Sequence, residues 1–401
     1  MAPPTTRNTL ATSSCCLPTE KPTAKRSPPV LSSTMLDDND EDEGTPTPML
    51  DRFFNSHGAV GILTMTDFSY NELNRLWDRV SGSRKEVPLF SEGRVLRVAR
   101  DAQERRRLGP ESHIFRLKAP SYQKMIAGFL RVVGLKLYDG QVVSEAASLS
   151  MKRLFVSGRA FAHFPYAMYA VDATFQQGNR PSSNMAEGKT YFSGKHKLYG
   201  LKVEVSVNSL RLAVNCSDHV PGSVADIQLF RQNIAFQQQQ RAKSTEEDRS
   251  LEDNGPLQDE YPLEWTMVAD KGYQGLAHYM RVIHFKKAEP NERLSFQDER
   301  LNRRISSDRI IVEIFFGRLY GLWRICTEKY QRSEDLDGLM FQTCVGLTNY
   351  HAHRNPLRED DGELYNQAQN RLCHIGVVLQ RRSPLPREVP CSEAHSQRAH
   401  D

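Results

Sequence analysis

Two apolar segments that each stop at an aspartate limit what this chain can fold into. The run "FPYAMYAVDATF" (164–175) stays apolar up to Asp172, and "EWTMVADKGYQG" (264–275) becomes polar at Asp270, ahead of a glycine-containing turn. A short apolar run bounded by turn residues is consistent with a buried strand. We therefore predict two strands of a buried sheet, each ending on a carboxylate.

Between these segments the sequence alternates with the period of a β-strand. Apolar and polar residues take turns in "LKVEVSVN" (201–208) and again in "LRLAVNCS" (210–217), with Asn208-Ser209 between the two runs. Alternating runs joined by a short polar turn predict a β-hairpin. The segment "PGSVADIQLFRQN" (221–233) follows, and we expect a helix whose capping box is Ser223 with Asp226.

The strongest helical pattern is "DRIIVEIFFGRLYGLWRICTEKY" (308–330). Its core face at helical spacing consists of Ile311, Ile314, Phe315, Leu319, Leu322 and Ile325. At about 100° per residue, Glu313 lies roughly 200° from Ile311 and points away from that face. The order of elements is strand, hairpin, helix, strand, short strand, helix and long helix, which indicates an α/β fold.

Composition indicates how the rest of the chain is organised around this core. Hydrophobic residues are 39% and charged residues 25% of 401, with a mean hydropathy of -0.57, so we expect disordered or looped sequence around an ordinary core. Ser69 and Glu72 form a capping-box pattern for a helix over 67–80. We divide the chain into a disordered arm (1–50), a mainly helical N-terminal region (51–160), the α/β domain with a polar loop insertion at 236–262 (161–355), and a loose polar tail (356–401).

Several classes of protein do not fit these properties. No segment reaches about 18 uninterrupted apolar residues, so we expect no membrane span, and the N-terminus lacks the apolar region of a secretory signal. The 7 cysteines are scattered without a CxxC pair, which is typical of reduced thiols in an intracellular compartment. The net charge of +4 does not by itself argue for nucleic acid.

Three carboxylates are candidates for one site. Asp172 and Asp270 end neighbouring strands and Glu313 lies on a packed helix, so the three can converge. Oxygen ligands of this kind suit Mg²⁺ or Mn²⁺, and a pair of such ions about 3.5–4 Å apart promotes phosphodiester cleavage. Alone, Asp172 could instead cap a strand end, and Asp226 is either an additional ligand or an acid favoured by a helix N-terminus.

Basic residues lie close to these acids in the sequence. Arg309 is one turn before Glu313 and can orient that carboxylate, and we also predict it among the DNA-binding residues. Lys195, His196 and Lys197 follow the first strand, and we expect them to face substrate phosphates unless they form a solvated turn.

Five segments in order resemble the DDE-type transposase domain of the PIF/Harbinger and IS5-like group. They are "VDATF", "YFSGKHKLYGLKVEVSV", "PGSVADIQLF", "VADKGYQG" and "RIIVEIFFGRLYGLW", within a resemblance that covers roughly 160–355. The resemblance implies an RNase H-like core, a mixed five-stranded sheet flanked by helices, with a helical N-terminal region and disordered termini.

The resemblance also implies an activity. It implies a metal-dependent DNA endonuclease and strand transferase with two Mg²⁺ or Mn²⁺ ions, in which Asp172, Asp270 and Glu313 match the acidic triad. Asp226 matches the acid that follows the Pro-Gly-Ser motif. The implied partners are double-stranded DNA at transposon ends, further copies of the chain in a homo-oligomer, and a separate DNA-binding protein if one is needed; nuclear localisation follows from this function.

The chain also departs from the family pattern. Phe175 stands where the family often has a histidine, Ile314 replaces the usual asparagine after the helical glutamate, and no DNA-binding helix-turn-helix is legible upstream. These departures keep open a second hypothesis, a host-captured and catalytically silent DNA-binding or adaptor protein derived from a transposase.

Overall fold

The computed structural model describes most of the chain after its first 47 residues. The described residues are 48–81, 130–181, 185–288, 293–330 and 334–382, together with Lys124, Ala127 and Gly128. The arm predicted over 1–50 lies outside them except for its last three residues, which begin a helix. No helix in the described ranges is long and apolar enough to cross a membrane.

The N-terminal part of the described chain is helical. Its helices are α1 (Pro48–Thr66), α2 (Tyr70–Ser81), α3, a continuous run of π and α turns over 130–148, and α4 (Met151–Val156). The capping box ahead of α2 is confirmed, because the Ser69 N–H donates to Glu72 at 2.8 Å and the Glu72 N–H donates to the Ser69 hydroxyl at 3.3 Å.

The described residues form a mixed sheet of seven strands. The strands are β1 (Ala167–Gln177), β2 (Phe192–Ser193), β3 (Leu198–Asn208), β4 (Ala213–Cys216), β5 (Val220–Pro221), β6 (Thr266–Ala269) and β7 (Ile283–His284). The order is β2-β3-β1-β6-β7, in which β1, β6 and β7 run parallel and β3 is antiparallel to β1.

The sheet has seven strands in the described residues, where five were predicted, because the long strand β3 pairs with several short strands. Its 11 residues pair with β1 along one edge, while β2, β5 and β4 pair in turn along the other. The predicted hairpin between β3 and β4 is confirmed with a longer turn. Arg211 adopts a φ of 67°, and the Asn208 side chain accepts from the Leu212 N–H at 3.0 Å.

Asp172 is within β1 and does not end it, contrary to the prediction. β1 continues to Gln177 because its neighbour β3 pairs with it as far as that residue. The parallel neighbour β6 stops earlier, with Val171 opposite Ala269. Asp172 and Asp270 are therefore each the first residue beyond this last pair and lie side by side.

Helices cover both faces of the sheet. The helices on the face of Tyr169 and Val171 are α6 (Asp226–Gln232), α7 (Ile234–Arg241) and α8 (Thr245–Ser250). The short helix α5 (Met185–Thr190) precedes β2. The helices after β7 are α9 (Phe296–Leu322), α10 (Arg324–Thr327), α11 (Glu334–Ala352) and α12 (Asp361–Arg382). Val203, Val205 and Val207 pack with α9 and α11 in one core, and Tyr169 and Val171 pack with Phe230 of α6 in another.

α9 joins the last two helices of the predicted order, which were expected to be separate. It is one helix of 27 residues, capped by the Ser295 hydroxyl, which accepts from the Asp298 N–H at 3.1 Å. The predicted core face is buried from Ile311 to Leu322. Asp308, the residue before Arg309, accepts from the backbone N–H groups of His163 and Phe164 at 2.9 and 3.0 Å. This contact fastens the helix to the segment that leads into β1.

The polar composition of the insertion at 236–262 predicted a surface loop, and this prediction is wrong. It contains α7 and α8, and Gln237 and Arg241 are completely buried. The buried charged residues have oppositely charged partners: Arg241 donates to Glu264 at 3.0 Å, and Asp253 binds both Arg281 and Lys243. Paired burial of this kind leaves no apolar signal in the sequence.

The described part of the tail, residues 356–382, is likewise not loose. α12 packs along α9, where Arg318 donates to Asp361 at 2.8 and 3.2 Å. The backbones approach closely at Gly317, where an added Cβ would overlap the carbonyl group of Asp361. Farther along α12, Leu372 packs on Phe175 of β1. The helix was missed because its contacts form a narrow stripe on an otherwise polar sequence.

This close approach makes the Gly317→Ala variant informative. Alanine favours a helix by about 1 kcal/mol over glycine, yet here its methyl group must displace α12, so we expect a net loss of about 1–3 kcal/mol in the free energy of unfolding. Gly140→Ala is the matched control, because Gly140 lies on helix α3 and a Cβ there meets nothing within 4 Å. Urea unfolding of both variants measures the difference; equal stabilities would mean that α12 does not pack on α9 as described.

Candidate active site

Three carboxylates converge on one guanidinium. Arg309 donates from Nη1 to Asp172 Oδ2 at 2.6 Å and from Nη2 to Glu313 Oε1 at 2.5 Å. Its Nε lies 3.9 Å from Asp270 Oδ1. Each carboxylate therefore faces a different nitrogen of the same planar fork. The structure brings the three predicted acids together, and it places Arg309 between them.

The fold holds each acid by a separate element. The Asp172 carboxylate accepts from the Ala173 N–H at 2.8 Å on β1. Asp270 follows β6, and its carbonyl accepts from the Tyr273 N–H at 3.1 Å, which begins a tight turn. Glu313 lies one turn after Arg309 on α9. Two parallel strands and a helix crossing them thus supply one acid each.

Burial controls the electrostatics of this cluster. Burial raises the pKa of Asp172 to about 6. The negative charge of Asp270 also raises this pKa, whereas the positive charges of Arg309 and Lys195 lower it. Burial works against the charge on Arg309 too, but the carboxylates outweigh it and raise the pKa of that guanidinium. The cluster consequently keeps Arg309 charged and holds acids that favour a nearby cation.

The donors of this cluster fit a divalent metal in their chemistry. All three are carboxylate oxygens, the ligands that Mg²⁺ and Mn²⁺ prefer, and they already surround one positive charge. Within the described ranges, however, no three Asp, Glu, His or Cys side chains are close enough to ligate one ion. Arg309 accounts for this spacing, since the carboxylates are spread around its edge.

Asp226 lies beside the cluster but in another set of contacts. It begins α6, and Lys202 donates to its Oδ1 at 3.0 Å. Its other oxygen lies against Gly272, two residues after Asp270. The predicted capping box with Ser223 is wrong, because the N-cap is Ala225, whose N–H donates to the Gln228 side chain at 3.4 Å. The lysine partner separates Asp226 from the acids on Arg309.

The predicted phosphate contact by His196 is wrong. Its ring is 3% exposed, stacks on Phe175 with centroids 4.6 Å apart, and bonds Gln369 of α12 at 3.0 Å. Burial lowers the pKa of His196 to about 4, so the ring is neutral. Its neighbours Lys195 and Lys197 are exposed, and Lys195 is close enough to affect the pKa of Asp172.

Three hydroxyl groups near the acids were missed. Thr174, two residues after Asp172 on the same face of β1, shares a 2.5 Å hydrogen bond with Tyr320 of α9. Tyr365 of α12 stacks on Phe316 at 5.1 Å. Burial and the charge of Asp172 raise the pKa of the Tyr365 phenol. The two-residue spacing could have revealed Thr174, but nothing in the tail's composition indicated Tyr365.

Comparisons with known proteins agree with this geometry. Residues 171–349 match the family model described as DDE superfamily endonuclease. A probable transposase for insertion sequence element IS702 of Microchaete diplosiphon is 24% identical over 186 residues, 46% of this chain and 56% of that relative. No solved structure matches.

These matches indicate the class of protein that the domain resembles. Residues 171–349 match the DDE superfamily endonucleases, and the resemblance to DDE-type transposases is confirmed. The comparisons do not separate the PIF/Harbinger group from the IS5-like group.

A completely buried carboxyl group lies on the opposite face of the sheet. Glu204 of β3 is opposite Ala173, completely buried, and accepts from Gln237 at 3.1 Å and from Asn233 at 3.3 Å. Burial raises the pKa of Glu204 to about 8. This side chain is consequently protonated at neutral pH and belongs to the packing of the domain.

That shift predicts how stability depends on pH. The pKa of Glu204 is higher in the folded than in the unfolded chain. The stability that Glu204 contributes is therefore fully present at a pH below its pKa in the unfolded chain, and it is lost as pH rises towards about 8. We expect the free energy of unfolding to fall by up to about 1.4 kcal/mol per pH unit in this window. Urea unfolding of Glu204→Gln should lack this slope, whereas the exposed Glu359→Gln should keep it; an unchanged slope in Glu204→Gln would contradict the assignment.

Proposed function

We propose that the chain is a metal-dependent DNA endonuclease and strand transferase of a transposable element, built on an RNase H-like core. The observation that carries this proposal is the convergence of Asp172, Asp270 and Glu313 from two parallel strands and a crossing helix. It supports the proposal because that convergence lies inside the part of the chain that matches the DDE superfamily endonucleases. DNA is accordingly the substrate.

Asp172, Asp270 and Glu313 would hold the divalent cations, Mg²⁺ or Mn²⁺ and two in number. When bound, such a pair activates the attacking oxygen and stabilises the leaving oxygen of a phosphodiester. Asp226 is the weaker candidate for a ligand, since its contact with Lys202 already balances its charge.

The chain's own residues prepare this site. Arg309 holds Asp172 and Glu313 at a fixed separation before a substrate arrives, which makes it a positioning residue. Lys195 is exposed, its positive charge lowers the pKa of Asp172, and it would meet a backbone phosphate that approaches the acids. The phenol of Tyr320 fixes Thr174 next to Asp172, so the strand cannot turn its acid away from the helix.

The substrate, the oligomeric state and the localisation that we propose follow from the activity of a transposase-type nuclease. We propose that double-stranded transposon ends are the substrate, that the active form is a homo-oligomer, and that the protein acts in the nucleus. We propose that the region 51–160 also contacts DNA. If it does not, a separate DNA-binding protein would provide this contact.

The test measures metal binding and DNA cleavage together. Asp172→Asn, Asp270→Asn and Glu313→Gln should each weaken Mn²⁺ binding in calorimetry and lower nicking of supercoiled plasmid by about 10²-fold or more, because each removes a ligand charge. Glu359→Gln, an exposed carboxylate outside the cluster, is the control and should behave like the wild type. Asp226→Asn should retain most nicking.

The outcomes separate the hypotheses. Nicking by Asp172→Asn at the wild-type rate would reject the catalytic assignment. Metal binding without nicking on plasmid, repeated on transposon-end DNA with the same result, would favour the catalytically silent adaptor protein. Loss of both in Asp226→Asn would make Asp226 a ligand.

A further inference from the structure

A basic turn follows β7 and is fastened to α9. The turn consists of Lys286 and Lys287, which we call the 286–287 turn. The Lys286 N–H donates to Asn302 Oδ1 at 2.8 Å, and Asn302 Nδ2 donates back to the Lys286 carbonyl at 3.0 Å. Two bonds to one side chain fix the backbone here, while both lysine side chains stay exposed.

The 286–287 turn lies next to the acids. In the parallel pair of β6 and β7, Ala269 is opposite His284. Phe285 therefore continues β7 beside Asp270, about 5 Å away across one strand spacing. The guanidinium of Arg309 lies over the Phe285 ring, 5.9 Å from its centroid. The lysines follow this ring directly.

The charge of the turn is not balanced locally. In the described part of the chain, no carboxylate forms an ion pair with Lys286 or Lys287, although ion pairs there are otherwise common. Arg303 and Arg304 are exposed on α9 directly after Asn302 and add to the positive charge. Exposed cations fixed beside an acid cluster are suited to a polyanion that must approach those acids.

We propose that the 286–287 turn binds the DNA backbone on the side of the acids opposite to Lys195. In the strand order, Lys195 belongs to the turn before β3 and the 286–287 turn follows β7, so β1 and β6 with their acids lie between. The scissile phosphate is thus held from both sides. This inference rests on the proposed function for the identity of the polyanion.

The test is the salt dependence of DNA binding without metal. Fluorescence anisotropy of a labelled duplex, titrated at several KCl concentrations, should give a slope of log K against log salt that is about 1.8 smaller for Lys286→Ala/Lys287→Ala, since each lost phosphate contact removes about 0.9. The control, Lys152→Ala/Arg249→Ala, removes two exposed charges from helices that pack on the face of the sheet opposite α9, and it should keep the wild-type slope.

A second variant separates position from charge. Asn302→Ala keeps both lysines but releases the turn, so we expect a nearly unchanged slope with several-fold weaker binding and slower nicking. The same slope and affinity in Lys286→Ala/Lys287→Ala as in the wild type would overturn the inference while leaving metal-dependent nicking intact. A wild-type chain that binds no DNA would overturn both this inference and the proposed function.

Discussion

Two consecutive residues of α9 hold the candidate site together. Asp308 binds the backbone just before β1, and Arg309 binds the acid in the middle of β1. A helix fixed at both points can neither slide along the strand nor rotate without breaking a buried polar contact, which is costly. The position of Glu313, one turn later, follows from this constraint. The convergence of the acids is therefore a consequence of how α9 is anchored.

The charges of the cluster explain why this arrangement can also be functional. Three carboxylates and one guanidinium leave two negative charges when all are ionised. Burial makes that surplus costly, as the raised pKa of Asp172 indicates. A divalent cation would balance it, and exposed lysines nearby would partly offset it until a cation arrives.

The sequence allowed the acids to be predicted but not all of their surroundings. Asp172 and Asp270 stand out because each interrupts an apolar strand, and Glu313 because it points away from an apolar helical face. His196 was misplaced because two exposed lysines flank it, and only the fold shows that its ring stacks on Phe175. Arg241 was assigned to a surface loop because a buried ion pair and a solvated one have the same composition. Patterns of hydrophobicity report apolar burial, and they do not report polar groups buried in pairs.

The same limit applies to where the functional unit ends. The family match stops at residue 349, whereas α12 begins at Asp361 and places Tyr365 near Asp172 and Gln369 on His196. Leu372 of the same helix covers Phe175, the ring on which His196 stacks. Removing α12 would expose this apolar contact and leave the buried His196 without its amide partner, so the turn that carries Lys195 would lose its support. The acids belong to the matched domain, but their geometry depends on a helix outside it.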